Sequence, residues 1–169
     1  MNRLHIIGRK NHGKTTLVVE LIDQLTRRGL RVGSIKHTHH RHELDVPGKD
    51  SHRHRTAGAA VVGVLSKGLS AVYLPKVGTD SDADPYAALA ASFAGCDLVL
   101  VEGDSKTTAP KIEVWRSAVG SPPLAAEDQQ ILAIVTDDTT PLDAQTLPRS
   151  DTKPLVEWVV EHFVDSGRR

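Results

Sequence analysis

The residues best equipped for chemistry are nine in a row: Gly8-Arg9-Lys10-Asn11-His12-Gly13-Lys14-Thr15-Thr16. They fit G-x-x-x-x-G-K-[ST], the pattern of a phosphate-binding loop. Glycines at the two ends of that spacing let the backbone turn tightly and come close to a phosphate. The amides between them can then point inward, aided by the positive end of a following helix. Lys14 is placed to reach the β- and γ-phosphates, where its charge serves catalysis as well as binding. The Thr15 hydroxyl suits Mg²⁺, and Thr16 falls near the α-phosphate. The expected ligand is a nucleoside triphosphate or another phosphorylated molecule.

A triphosphate normally travels with Mg²⁺, which prefers oxygen ligands and keeps several waters. Glu102 fits that role, because it follows the apolar run Leu98-Val99-Leu100-Val101 and is followed by Gly103, which leaves room for a ligand. Asp45 and Asp50 are further acids, candidates for a second metal contact or for orienting a water, with Asp45 preferred for the water. Lys36 ends one apolar segment and Asp137 follows another, Ile131–Val135. Six of the nine histidines fall between His37 and His54. The run His37-Thr38-His39-His40-Arg41-His42 offers metal-ligating side chains, yet its spacing matches no closed four-ligand zinc site and no cysteine lies near it. With Lys36, Arg41, Lys49, Arg53 and Arg55 it reads instead as a basic loop handling phosphate, product or a second anion.

The surrounding elements must hold these groups. Leu4–Ile7 reads as a buried strand leading into the loop, and Leu17, Val18, Leu21, Ile22 and Leu25 recur at helical spacing up to Gly29. Arg31–Ile35 reads as a second strand, which implies a parallel crossover. His37 to Arg55 is a long polar loop running into a short helix over 51–58. Ala60–Leu65 reads as a buried strand that pairs in a hairpin with Ser70–Leu74. Residues 78–84 form a polar loop, and Asp84 caps a helix starting at Pro85 and ending near Ala94. Asp97–Val101, Lys111–Trp115 and Ile131–Val135 are further strands. Gly120–Gln130 reads as loop, Asp143–Pro154 as a polar connector, Leu155–Phe163 as an amphipathic helix, and 165–169 as a frayed end. The expected fold is α/β: one domain over 1–169, with a mostly parallel sheet flanked by helices on both faces. Ligands in such sheets bind at the carboxyl ends of the strands. The loop, Lys36, Glu102 and Asp137 should therefore meet in one crevice.

Composition narrows the class. The 169 residues include 21 Lys+Arg and 21 Asp+Glu, for a formal charge of zero. That balance gives no broad attraction to nucleic acid or to a membrane surface. Cys96 is alone, so no intrachain disulfide forms, as suits a reducing cytoplasm. No apolar run reaches membrane-spanning length.

Four segments, taken in order, resemble the molybdopterin-guanine dinucleotide biosynthesis adaptor family, MobB. They are Ile6–Leu17; Val32–His40; Asp45–Ser51 with Thr56–Ala59; and Asp97–Gly103 with Pro110–Val114. The loop alone is shared by very many NTPases, whereas the middle two segments are far more particular. The resemblance implies a P-loop NTPase fold, GTP binding with Mg²⁺, weak GTP hydrolysis and a homodimer. It implies support for a MobA-type guanylyltransferase, which joins GMP to molybdopterin, and direct contact with molybdopterin is a further candidate. By matching position, Gly13, Lys14 and Thr15 hold phosphate and metal, Glu102 is the strand-end acid, and Asp45 the acid of the loop. The family often places an aromatic or aliphatic residue and then Lys after Glu-Gly; here Asp104-Ser105-Lys106 is one residue longer. No Asn-Lys-x-Asp base-reading motif occurs, so Asp137 and Asp138 are the carboxylates able to accept from guanine. Two other functions use the same scaffold: a small-molecule kinase or ATP-dependent ligase, and a metal-delivery GTPase that stores metal on its histidines.

Overall fold

The computed structural model describes residues 1–38, 43–74 and 84–164. The chain divides into two compact units, one of residues 1–38 with 89–169 and one of residues 39–88. The first unit holds a six-stranded sheet built from β1 (Arg3–Ile7), β2 (Val32–Lys36), β5 (Leu98–Glu102), β6 (Lys111–Val114), β7 (Ile131–Val135) and β8 (Thr146–Leu147). Their order is β2-β5-β1-β6-β7-β8, and every neighbouring pair is parallel.

Alternation along the strands sorts the two faces. Leu4, Ile6, Leu98, Leu100, Ile112, Val114, Ala133 and Val135 point to one face, where α1 (Lys14–Arg27) and α3 (Lys153–Phe163) cover them. Both helices present apolar stripes: Leu17, Val18, Leu21 and Leu25 on α1, and Leu155, Val156, Trp158 and Val159 on α3. α1 stops at Gly29, whose φ is +85°. Gly29 N donates to Thr26 O and Leu30 N to Leu25 O, the paired bonds of a Schellman ending. Pro154, in the first turn of α3, lacks the amide that this turn could not pair in any case.

The opposite face carries His5, Lys111 and Glu113, all buried. It is covered by 3₁₀ turns rather than long helices. Phe93, at the end of the 3₁₀ helix Ala87–Phe93, lies over Gly33. The 3₁₀ turn Leu124–Ala126 gives the amides of Leu124 and Ala125 to the Glu113 carboxylate, at 2.7 and 2.9 Å. Lys111 Nζ pairs with Asp128 at 2.6 Å.

The second unit contains α2 (Asp50–Thr56) and an antiparallel hairpin of β3 (Val62–Leu65) and β4 (Ser70–Tyr73). The hairpin matches expectation, but the buried character expected of its first strand does not. Val62 is buried, whereas Val61, Val64 and Leu65 are exposed. An apolar run reports the wish for a partner surface, and this unit alone supplies it only at Val62. Three further expectations are corrected. The helix over 85–94 is a 3₁₀ helix beginning at Ala87, with Asp84 bonding the amide of Tyr86 before it. The 120–130 loop holds a 3₁₀ turn, and the connector 143–154 holds β8, paired to β7. Residues 39–42, 78–83 and 165–169 of the expected loops and tail lie outside the described residues.

Candidate phosphate site

The loop between β1 and α1 leaves the sheet at its carboxyl edge. Gly8 and Gly13 adopt φ of 144° and 96°, and Asn11 between them adopts 68°. Positive φ at these positions bends the backbone tightly, and backbone bent in this way can gather amides into a nest for an anion. Gly8 is also fixed by crowding: a Cβ there would meet Val114 O of β6 at 2.5 Å. Lys14 folds back over the loop and donates to Gly8 O and Arg9 O, both at 2.8 Å. Burial, reinforced by the charge of Lys36, pushes its ammonium below the ordinary lysine range, while the Glu102 carboxylate acts the other way.

Glu102 arrives on β5, the strand beside β1, and its Oε1 accepts from Thr15 Oγ1 at 2.7 Å. Lys36 lies opposite Glu102 in the β2–β5 register. Gly103 turns the chain away at φ 96°, and a Cβ there would come within 3.0 Å of His37 O. Lys14, Thr15, Lys36 and Glu102 are thus brought together at one edge, as the strand-end rule predicts. Arg9, in the loop, stands 3.7 Å from Glu127. Thr16 is exposed on the first turn of α1.

Other expected site residues have different work. The side chain of His12 is not directed at a ligand. It is 1% exposed, accepts from Arg116 N through Nδ1 at 2.9 Å, and faces Ser121 Oγ through Nε2 at 3.0 Å. An accepting Nδ1 places the proton on Nε2, so His12 is neutral and donates to Ser121; burial holds its pKa below the usual range. Only the main chain of His12 remains for the phosphate. Asp137 Oδ1 accepts from Arg149 N, Ser150 N and Ser150 Oγ at 2.8–2.9 Å, which leaves at most Oδ2 for a base. Asp138 caps the turn at Ser117.

Asp45 belongs to the second unit. Its Oδ1 accepts from Val46 N and Ser51 Oγ at 2.8 and 2.9 Å, and Oδ2 is buried without a hydrogen-bond partner. Asp50 is exposed, 3.8 Å from Arg53. Arg55 pairs with both oxygens of Glu43 at 2.6 and 2.7 Å, and His52 stands 3.6 Å from the same carboxylate. The basic character expected of this segment is therefore partly neutralised by Glu43. His39, His40, Arg41 and His42 lie outside the described residues. Among the described residues no group of three or more His, Cys, Asp or Glu is arranged to hold a metal. Mg²⁺ does not need one, because it takes one or two protein oxygens and completes its shell with water and phosphate. Thr15 Oγ1 and Glu102 Oε1 fit that requirement.

A cavity of about 1090 Å³ opens at the other end of the sheet, among Asn2, Arg28, Leu30, Asp97 and Phe163. Two of its polar side chains are engaged in the fold: Asn2 Nδ2 donates to Asp97 O and Phe163 O, and Asp97 Oδ2 accepts from Arg31 N.

The family model described as Molybdopterin guanine dinucleotide synthesis protein B, MobB, matches residues 3–137. This chain belongs to the MobB family. It is 37% identical over 151 residues to the molybdopterin-guanine dinucleotide biosynthesis adapter protein of Escherichia coli K12, covering 88% of this chain and 86% of that one. It is 36% identical over 165 residues to the protein of the same description from Haemophilus influenzae, covering 95% and 90%. Among solved structures, the crystal structure of a molybdopterin-guanine biosynthesis protein B superposes with a TM-score of 0.71 at 26% identity, covering 94% of this chain and 97% of that one. Family and fold agree with the resemblance read from the sequence. Among the described residues no helix is long and apolar enough to cross a membrane.

Proposed function

We propose that this chain binds GTP with Mg²⁺ at the loop of residues 8–16, hydrolyses it slowly, and acts as a homodimeric adaptor to a MobA-type guanylyltransferase in molybdopterin guanine dinucleotide assembly. The observation that carries the reading is the Lys14–Thr15–Glu102 grouping on the carboxyl edge of a parallel sheet, inside a chain of the MobB family. Loop amides and Lys14 hold the β- and γ-phosphates and offset the charge that builds as the γ-phosphoryl group departs. Thr15 and Glu102 hold Mg²⁺, which supplies further neutralisation of that charge. Glu102 is committed to Thr15 and the metal rather than to a water, which supports slow turnover. Guanine selection rests on Asp137 Oδ2 at most. The homodimer is supported by the apolar side chains that the second unit leaves exposed, among them Leu65 and Leu69.

The test is a titration of GTP, ATP and molybdopterin, with and without Mg²⁺, against the wild type and Lys14→Ala. GTP should bind the wild type more tightly than ATP, and Lys14→Ala should abolish binding of either. Unchanged affinity in the variant would remove the site, and multiple-turnover phosphate transfer to a small acceptor would favour the kinase alternative.

A further inference from the structure

β6 borders β1 on the side away from β5, so the loop is flanked by Glu102 at one side and by the end of β6 at the other. The β6 flank presses against the loop itself, since Val114 O occupies the space where a Cβ of Gly8 would lie. Two residues on, Arg116 N donates to Nδ1 of His12, and His12 is held from its other nitrogen by Ser121. Arg116 is thereby fastened to the loop through a buried ring with a single hydrogen-bonding tautomer. Its side chain is exposed and makes no ion pair among the described residues, whereas Arg9 stands near Glu127 and Arg149 near Glu20. The charges of Lys14, Arg116 and Arg9 each act on the buried His12 ring.

Resting on the nucleotide-binding reading above, we propose that Arg116 is a further cationic contact of the bound nucleotide, placed by His12 on the flank opposite Thr15 and Glu102. Thr15 and Glu102 would hold a metal on their own flank of the loop. On the other flank the guanidinium takes oxygens of a phosphate that GTP and GDP share, a geometry arginine suits with its fork of donors. His12 is the positioning residue, acting through the Arg116 amide.

Calorimetric titration of GTP and GDP, each with and without Mg²⁺, tests the assignment. Arg116→Ala should weaken GTP and GDP alike, by roughly tenfold, whether or not Mg²⁺ is present. His12→Leu should weaken both by a similar factor, and the double variant should lose little more. His12→Asn, whose Oδ1 can accept from the Arg116 amide, should recover most of the affinity. Unchanged affinity in Arg116→Ala overturns the proposal, as does a loss confined to GTP or to the Mg²⁺ titrations. If His12→Leu fails to fold, Arg116→Ala and His12→Asn decide the matter between them. A wild-type chain that binds neither nucleotide sinks the functional reading and this contact with it, whereas wild-type binding with an indifferent Arg116→Ala sinks the contact alone.

Discussion

Thr15 and Glu102 are 87 residues apart in the chain and 2.7 Å apart in space. Glu102→Gln keeps the size of the side chain and an oxygen for the Thr15 hydroxyl, and it removes the charge a metal needs. GTP affinity measured with Mg²⁺ should fall by roughly tenfold or more, while affinity in chelator should barely move. Equal losses would take Glu102 out of the metal role. His12 yields a second expectation, this one about pH. Its folded pKa lies below the ordinary histidine value of 6.5, chiefly through burial, with Lys14, Arg116 and Arg9 adding to the effect. The unfolded chain therefore binds the proton first as pH falls. The stability that neutral His12 contributes is complete above pH 6.5 and is lost as pH drops from there through the folded pKa. Buried His5 shifts in the same direction. Thermal melts from pH 7.5 to 5.5 should show the wild-type midpoint falling with acid, and His12→Asn should flatten that slope. An identical slope in the variant would mean that His12 already carries its proton in the fold.

At the scale of elements, a buried carboxylate ties a 3₁₀ turn to the sheet's second face. Glu113 accepts both the Leu124 and Ala125 amides, and burial raises its pKa against the opposing pull of those bonds. Glu113→Gln would set an NH₂ group against one of the two amides. The expected cost is about 1–3 kcal/mol, read in a denaturant or thermal melt. The same turn explains what sequence could and could not reveal. The core strands and both long helices were legible because apolar runs and 3.6-residue stripes are local signals. The turn between β1 and α1 was legible because two glycines and a lysine at fixed spacing mark it. The 3₁₀ turn Leu124–Ala126 was not, because its partner lies elsewhere: Glu113 is 11 residues from Leu124. Two-residue β8 is too short to carry a period, and it exists because Ile134 and Thr136 give their amides to Gln145 O and Leu147 O. His12 looked like a ligand contact because it lies inside the motif, and only the fold turns its ring toward Arg116.

At the scale of the whole molecule, the two units treat apolar side chains differently. The first unit buries nearly all of its large ones beneath α1, α3 and the 3₁₀ turns. The second leaves Leu44, Val46, Val61, Val64, Leu65, Leu69, Val72 and Leu74 exposed on 32 described residues, 43–74. A two-stranded hairpin is marginal in water unless its apolar side is covered. Leaving a leucine such as Leu65, at 86% exposure, in solvent forgoes about 1.5–3 kcal/mol of transfer free energy. A homodimer that covers the hairpins with one another would recover that energy and explain why such residues stand on so small a unit. The double substitution Leu65→Lys with Leu69→Lys removes that gain without touching the loop at 8–16. Sedimentation equilibrium should show the wild type at twice the chain mass and the double variant shifted to the monomer. GTP affinity per chain, if the phosphate site is complete within the first unit, should stay within about twofold of the wild type. A double variant that keeps the dimer mass would place the dimer contact elsewhere. A monomer that loses GTP binding would mean the nucleotide site is completed across the dimer.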